Sequence, residues 1–312
     1  MKVARWIAAS IVVGYFLFAQ GEGLWRGLQE PAVWAGIALL VAANGIGIQR
    51  WRVLTSSALK RQRESWLSQA RTSVMGCFVN FVTPGGVSGD VVKGVVLARE
   101  EGVSNSLVLA TVVWDRYLGL AGLLCVGAIS LVADQGLRLP TLAPAAAVAL
   151  GVGLLLIYGP TPKLASWLGF RAERARGAKA GSKREWLALR ARDLVAEFSG
   201  YRGRKSALVG AFGLSVLSLS VSFMGLGAIA FGLGHVSDVA TAVRLYSVLP
   251  IALVAASIPV LPGGVGTGHL AFGWVFGMIG VGSGAIGGAE VYHFYALHLA
   301  IVAALGAVWG KA

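Results

Sequence analysis

Thr83-Pro84-Gly85-Gly86-Val87-Ser88-Gly89-Asp90 interrupts an apolar stretch with a helix-breaking Pro-Gly-Gly and follows the break with a carboxylate. Far downstream, Leu261-Pro262-Gly263-Gly264-Val265-Gly266-Thr267-Gly268-His269 repeats the Pro-Gly-Gly-Val core. In a membrane protein, Gly/Pro-interrupted segments at matching places in two halves point to a substrate site. The reading of the other residues turns on these two breaks.

Their surroundings are membrane sequence. Of the 312 residues, 56% are hydrophobic and only 13% charged, and the mean hydropathy is +0.72, which excludes an ordinary soluble domain. The apolar residues fall in blocks of roughly 18 or more, enough to cross about 30 Å of hydrocarbon as helices. No water satisfies backbone groups there, and the blocks lack the period-2 alternation of barrel strands, so the predicted fold is an all-α integral membrane protein. Lys and Arg number 27 against 14 Asp and Glu, a net charge of +13. Cytoplasmic loops rich in Lys and Arg account for that excess, and no nucleic-acid partner is expected, because no recognised binding module accompanies it. Cys77 and Cys125 stand apart from any Cys-x-x-Cys or Cys/His cluster and are expected as buried small apolar residues.

Along the chain, a first span is expected over 6–19 and is taken as retained, since Leu17-Phe18-Ala19 makes a poor cleavage site. A second span ends near Ile48. Residues 49–71 carry Arg50, Arg52, Lys60, Arg61, Arg63 and Arg71 against Glu64, which places them in the cytoplasm. Within that segment Trp51, Leu54, Ala58 and Trp66 recur at helical spacing, the pattern of a helix lying on the membrane surface. Residues 72–99 form two half-length apolar arms around the first Pro-Gly-Gly, a re-entrant hairpin, and 104–133 span with Asp115 and Arg116 near the centre. Residues 140–158 span back to a basic loop, 159–205, with twelve Lys/Arg against four acids. Residues 206–233 span outward, 245–281 form the second hairpin, and the last span covers about 285–309.

The count is about six spanning helices plus two re-entrant hairpins, or about eight short and long spans if each hairpin crosses. Residues 1–135 make one membrane repeat and 136–312 a second, together one membrane domain. An odd number of spans per half inverts the second half, the arithmetic of an inverted-topology repeat, with both termini cytoplasmic in an inner membrane.

The Pro-Gly-Gly-x-x-Gly-Asp pattern at 84–90, the Asp115-Arg116 pair and the Pro-x-x-Pro-Gly-Gly-x-Gly signature at 259–266 resemble the membrane domain of lysylphosphatidylglycerol synthases, which also occurs as stand-alone flippase-like proteins. The resemblance covers essentially the whole chain. It implies a polytopic inner-membrane protein that moves a lipid or lipid-linked headgroup between leaflets, with membrane or polyprenyl-linked lipids as partners and a lipid-synthesising enzyme as a further one. Relatives carry a Glu shortly after the second Gly-rich loop, about where His269 stands here, and those that synthesise aminoacylated lipid carry an added soluble catalytic domain. The residues up to Ala312 show no such domain.

The residues themselves suggest an anionic headgroup site. Asp90 falls in the first turn of the returning half-helix, where Ser88 and Asp90 are also ordinary capping residues. An intramembrane half-helix amino end, with Gly85, Gly86 and Gly89 before it, suits an anion, and Lys93 one turn on can face a phosphate. Gly263, Gly264 and Gly266 are the counterpart, leading to His269. Asp115 and Arg116 sit mid-span, where an unpaired charge costs roughly 2.5–3.5 kcal/mol, so Arg116 is expected to neutralise Asp90 across a helix interface or to bind phosphate. Glu290 and His293 form a single Glu-x-x-His. Di-iron bundles use two such motifs with two further Glu, so no metal is expected here, and the pair is assigned to the cavity or to the outer interface. Without a nucleophile triad, Walker loop or nucleotide fingerprint, no cofactor is expected. A membrane-embedded lipid-modifying enzyme, or an accessory subunit of a lipid-modifying complex, stands as the alternative to transport.

Overall fold

The computed structural model of the chain describes residues 21–59, 66–83, 88–133, 166–167, 170, 183–256 and 267–309. Among the described residues regular structure is helical throughout: α1 (Gly21–Gln29), α2 (Pro31–Leu59), α3 (Trp66–Val82), α4 (Ser88–Glu101), α5 (Asn105–Ala133), α6 (Lys183–Gly200), a 3-10 turn (Tyr201–Gly203), α7 (Lys205–Gly232), α8 (Val239–Ala256), α9 (Thr267–Ile279) and α10 (Ala285–Trp309). Helices α2, α5, α7, α8 and α10 are long and apolar enough to cross a bilayer. The chain is an all-α, multi-pass membrane protein. The expected spans over 6–19 and 140–158 lie outside the described residues, as do the two loop tips with Gly85, Gly86, Gly263, Gly264 and Gly266.

Two boundaries differ from expectation. No surface helix follows residue 48; α2 continues to Leu59 and α3 begins at Trp66. Trp51, Leu54 and Ala58 are buried in protein, with Leu54 and Ala58 clustered with Trp114 and Tyr201. Their helical spacing therefore marks a core face, which periodicity alone does not distinguish from a lipid-facing one. The second break lies at the end of an 18-residue helix rather than a half-length arm. Helix α8 starts at Val239, six residues before the apolar run, because Asp238 caps it: the Asp238 carboxylate accepts from the Thr241 N–H (2.8 Å) and hydroxyl (2.9 Å).

Helix α2 packs along α7. They approach closely through a glycine on each side: a Cβ on Gly36 would lie 2.5 Å from the Gly225 carbonyl oxygen, and one on Gly225 would lie 2.8 Å from that of Gly36. Small residues permit such contact between membrane helices, where van der Waals packing drives association. Around this pair, α3 packs on α10 and α8 on α5; α4 packs on α3 and α5, and α9 on α8 and α10. Exchanging α2 with α7, α3 with α8, α4 with α9 and α5 with α10 returns the same set of principal packings. The largest apolar core gathers residues of α2, α7, α8, α9 and α10, with Phe223, Phe272, Phe276 and Phe294 almost fully buried.

Candidate functional site

The two arms of the first break cross at glycines. A Cβ on Gly89 would collide with the Gly76 carbonyl oxygen, so α4 starts hard against α3. The Gly89 N–H donates to Asn80 Oδ1 at 2.7 Å, and the Ser88 and Thr83 hydroxyls hydrogen-bond. One arm thus caps the amino end of the other, satisfying a donor that a helix start leaves unpaired.

This crossing sets Asp90 facing α5. Arg116 Nε donates to Asp90 Oδ2 at 2.6 Å, with Nη2 on the same oxygen. Lys93 Nζ stands 3.6 Å from Asp90 Oδ1 and 4.1 Å from the centre of the Trp51 ring. The expected cross-helix pairing of Asp90 with Arg116 is therefore present. Asp115, at 100° from Arg116 on the helix, turns to α2: Arg50 Nε donates to Asp115 Oδ1 at 2.7 Å, and Arg50 Nη1 to Ser215 Oγ at 3.3 Å. Arg50 belongs to the basic segment by sequence, yet it is mostly buried and completes the site.

All five charged side chains line one cavity of about 320 Å³ between α2, α3, α4, α5 and α10. Three cations meet two carboxylates, leaving one net positive charge. Asp90, Lys93 and Asp115 are buried, whereas the Arg116 side chain is 57% exposed and so is the cation best placed to meet a ligand. Asn80, Ser73 and Cys77 add polar or polarisable lining. The buried Ser73 Oγ has no hydrogen-bond partner among the described residues, an unsatisfied group of the kind a ligand can complete.

The remaining predicted residues assemble elsewhere. His269, at the position in α9 that Asp90 holds in α4, packs against Tyr292 and His293, with ring centres 4.7 and 4.3 Å away. Glu290 pairs with His235 at 2.9 Å. Neither His269, Glu290 nor His293 lines the cavity, and among the described residues no group of three or more His, Cys, Asp or Glu could hold a metal. His298 connects α10 to the cavity wall. Its Nδ1 lies 2.5 Å from the Tyr295 carbonyl oxygen and its Nε2 lies 3.1 Å from Asn44 Nδ2. A carbonyl can only accept and an amide nitrogen can only donate, which assigns the proton to Nδ1 and makes this a neutral imidazole.

Sequence reasoning missed Arg50, Asn80, Ser73 and Asn44. Asn44 and Asn80 are amides inside apolar runs, and that placement is a signal in itself. Arg50 had none beyond its place at the edge of the apolar block.

A family model described as Lysylphosphatidylglycerol synthase TM region matches residues 5–306. Comparison with curated proteins and with solved structures gave no match.

Proposed function

The chain belongs to the lysylphosphatidylglycerol synthase TM region family, and from that premise we propose that it moves a lipid or lipid-linked molecule with an anionic headgroup between leaflets. The observation that carries the reading is the net positive cavity built on Asp90, Lys93, Arg116 and the Arg50–Asp115 pair. Charges at this depth are costly unless paired, and they mark substrate pathways. Arg50–Asp115 is the fixed part, buried and tied to Ser215. Arg116–Asp90 is the exchangeable part: phosphate takes the guanidinium fork, and Lys93 keeps Asp90 neutralised meanwhile.

Alternating access needs a second arrangement. Exchange of the two halves preserves the principal packings, which supports a two-repeat architecture; the opposed hairpins belong to the proposal. The basic ends of α2 and α6 belong on the cytoplasmic side, in an inner membrane, by the distribution of Lys and Arg.

Reconstitution into vesicles carrying fluorescent phosphatidylglycerol, phosphatidylcholine or polyprenyl phosphate tests the proposal. Protein-dependent movement of the anionic lipids, lost by about tenfold or more in Arg116→Ala, is the expected outcome. A wild-type protein that moves none of the three ends the transport reading.

A further inference from the structure

The cavity has a charged floor and an apolar mouth. Val41 of α2, Trp66 of α3, and Leu305 and Trp309 of α10 all line it, and all four are exposed. Helices α2 and α10 touch through Asn44 and His298. Beyond that contact, toward the basic end, Gly45 and Gly47 of α2 and Val302 of α10 give onto the cavity instead. Among the described residues, a Cβ on Gly45 or Gly47 would meet no atom within 4 Å. No described helix therefore packs closely on these glycines, unlike Gly36 and Gly225. Each helix-interior glycine costs roughly 0.5–1 kcal/mol relative to alanine, and among the described residues the consequence of these two is the space they leave at the cavity wall.

Size decides what that space admits. About 320 Å³ is at the low end for ligand pockets, roughly 300–1,000 Å³, and suits a headgroup. A lipid acyl chain spans half of a hydrocarbon core about 30 Å thick and cannot be enclosed there. If the floor binds a lipid phosphate, the chains must leave sideways through an apolar opening.

We propose that the gap between α2 and α10 is a lateral portal for an anionic glycerophospholipid: the headgroup rests on the charged floor while the acyl chains pass Gly45, Gly47 and Leu305 into the bilayer. The inference rests on the headgroup reading above. Trp66 and Trp309 flank the doorway, and Trp is the residue type enriched at the membrane–water boundary. The Arg71 guanidinium lies 5.1 Å from the Trp309 ring centre, a cation at the entrance for an arriving phosphate.

The test uses the full chain in vesicles, with Cys77 and Cys125 replaced by Ala and a bimane fluorophore attached at Gly45→Cys. A second label at Gly210→Cys, on the exposed face of α7, serves as the lipid-facing reference. Acyl-brominated phosphatidylglycerol should quench the Gly45→Cys label about twofold or more beyond acyl-brominated phosphatidylcholine, a preference of the size set by one partly desolvated charge contact. The reference label should respond equally to both. Excess glycerol phosphate in solution should leave the difference in place; if it abolishes it, the floor selects a free phosphate ester and the portal has no role. Equal quenching by both lipids overturns the anionic selectivity, and no quenching at Gly45→Cys overturns the portal itself. Separately, Gly47→Leu should cut phosphatidylglycerol movement by about tenfold or more while the unfolding temperature holds, because helix propensity rises and nothing is displaced. Wild-type movement in Gly47→Leu also overturns the portal. A wild-type protein that moves no lipid defeats transport alone, since the quenching pattern still decides whether lipid enters here.

Discussion

The two hairpins occupy equivalent places in the packing, yet their second arms begin with opposite chemistry. Helix α4 brings Asp90 to Arg116 and Lys93; helix α9 brings His269 to Tyr292 and His293. On one side charges are partnered across three helices around a cavity. On the other, aromatic rings pack against the start of α9, so tightly that a Cβ on Gly268 would collide with Tyr292. One architecture thus supports a charged cavity at the first break and a cluster of packed rings at the second. If transport exchanges the roles of the halves, rings rather than ions would face the ligand on that side. On the transport reading proposed above, that asymmetry would give the two faces of the protein different affinities for the same headgroup.

The strongest way to break the contrast is to unpair a charge. Asp115→Ala leaves Arg50 buried without its carboxylate and should lower stability in detergent by about 3–5 kcal/mol. His269→Ala, which takes a ring out of the cluster with Tyr292 and His293 and unpairs no carboxylate, should cost less than half as much. Replacing both members together, Arg50→Met with Asp115→Leu, should recover most of the loss, since a matched apolar pair removes the uncompensated charge. Denaturant or thermal unfolding reads all three. Equal costs for Asp115→Ala and His269→Ala would show that the charged half is no more tightly built than the aromatic one.

A smaller structural but larger functional effect is expected at the exposed cation. Arg116→Lys keeps the charge and discards the planar fork that meets Asp90 through two nitrogens. Movement of anionic lipid should fall by about tenfold, with only a slight change in unfolding temperature. Unchanged movement would assign Arg116 to neutralising Asp90 and nothing more. His298→Leu comes next. It strips Asn44 of an acceptor at the cavity wall and should cost about 1–3 kcal/mol. Because that imidazole is neutral, the cost should be the same at low and high ionic strength, whereas a cost that shrinks in salt would mean that His298 carries charge.

Much of this was legible in the residues. Apolar blocks gave the spans α5, α7 and α10 nearly to the residue, because hydrocarbon thickness dictates their length. Asp90 and Arg116 could be matched because two opposite charges in hydrocarbon must find each other or a ligand. The Arg50–Asp115 pair could not. By the positive-inside rule Arg50 is a loop residue, and only the continuation of α2 to Leu59, driven by the burial of Trp51 and Leu54 against protein, carries it inside. Nor did composition distinguish Gly45 and Gly47, which no described residue approaches within 4 Å of a Cβ, from Gly36 and Gly225, which bring backbones together. Both pairs look alike in a glycine-rich chain, and what separates them is whichever helix lies opposite.

The smallest effect expected concerns how each hairpin is capped. The start of α4 is capped from outside by Asn80 of the crossing arm, and an amide does not titrate. The start of α8 is capped by Asp238, whose carboxylate is held below its ordinary range chiefly by the Thr241 N–H, with the Thr241 hydroxyl adding to it. A depressed carboxylate stabilises the folded state above its unfolded value, near about 3.9, and that stabilisation disappears as the pH falls through the lower folded value. Protection of the Thr241 amide from hydrogen exchange should therefore be full at neutral pH and decline in strong acid, while the Gly89 amide keeps its protection over the same range. Asp238→Asn should flatten the Thr241 profile without touching Gly89. Loss of protection at both amides together would mean that the hairpins open as one unit, and the separately capped halves would have to be treated as a single cooperative element.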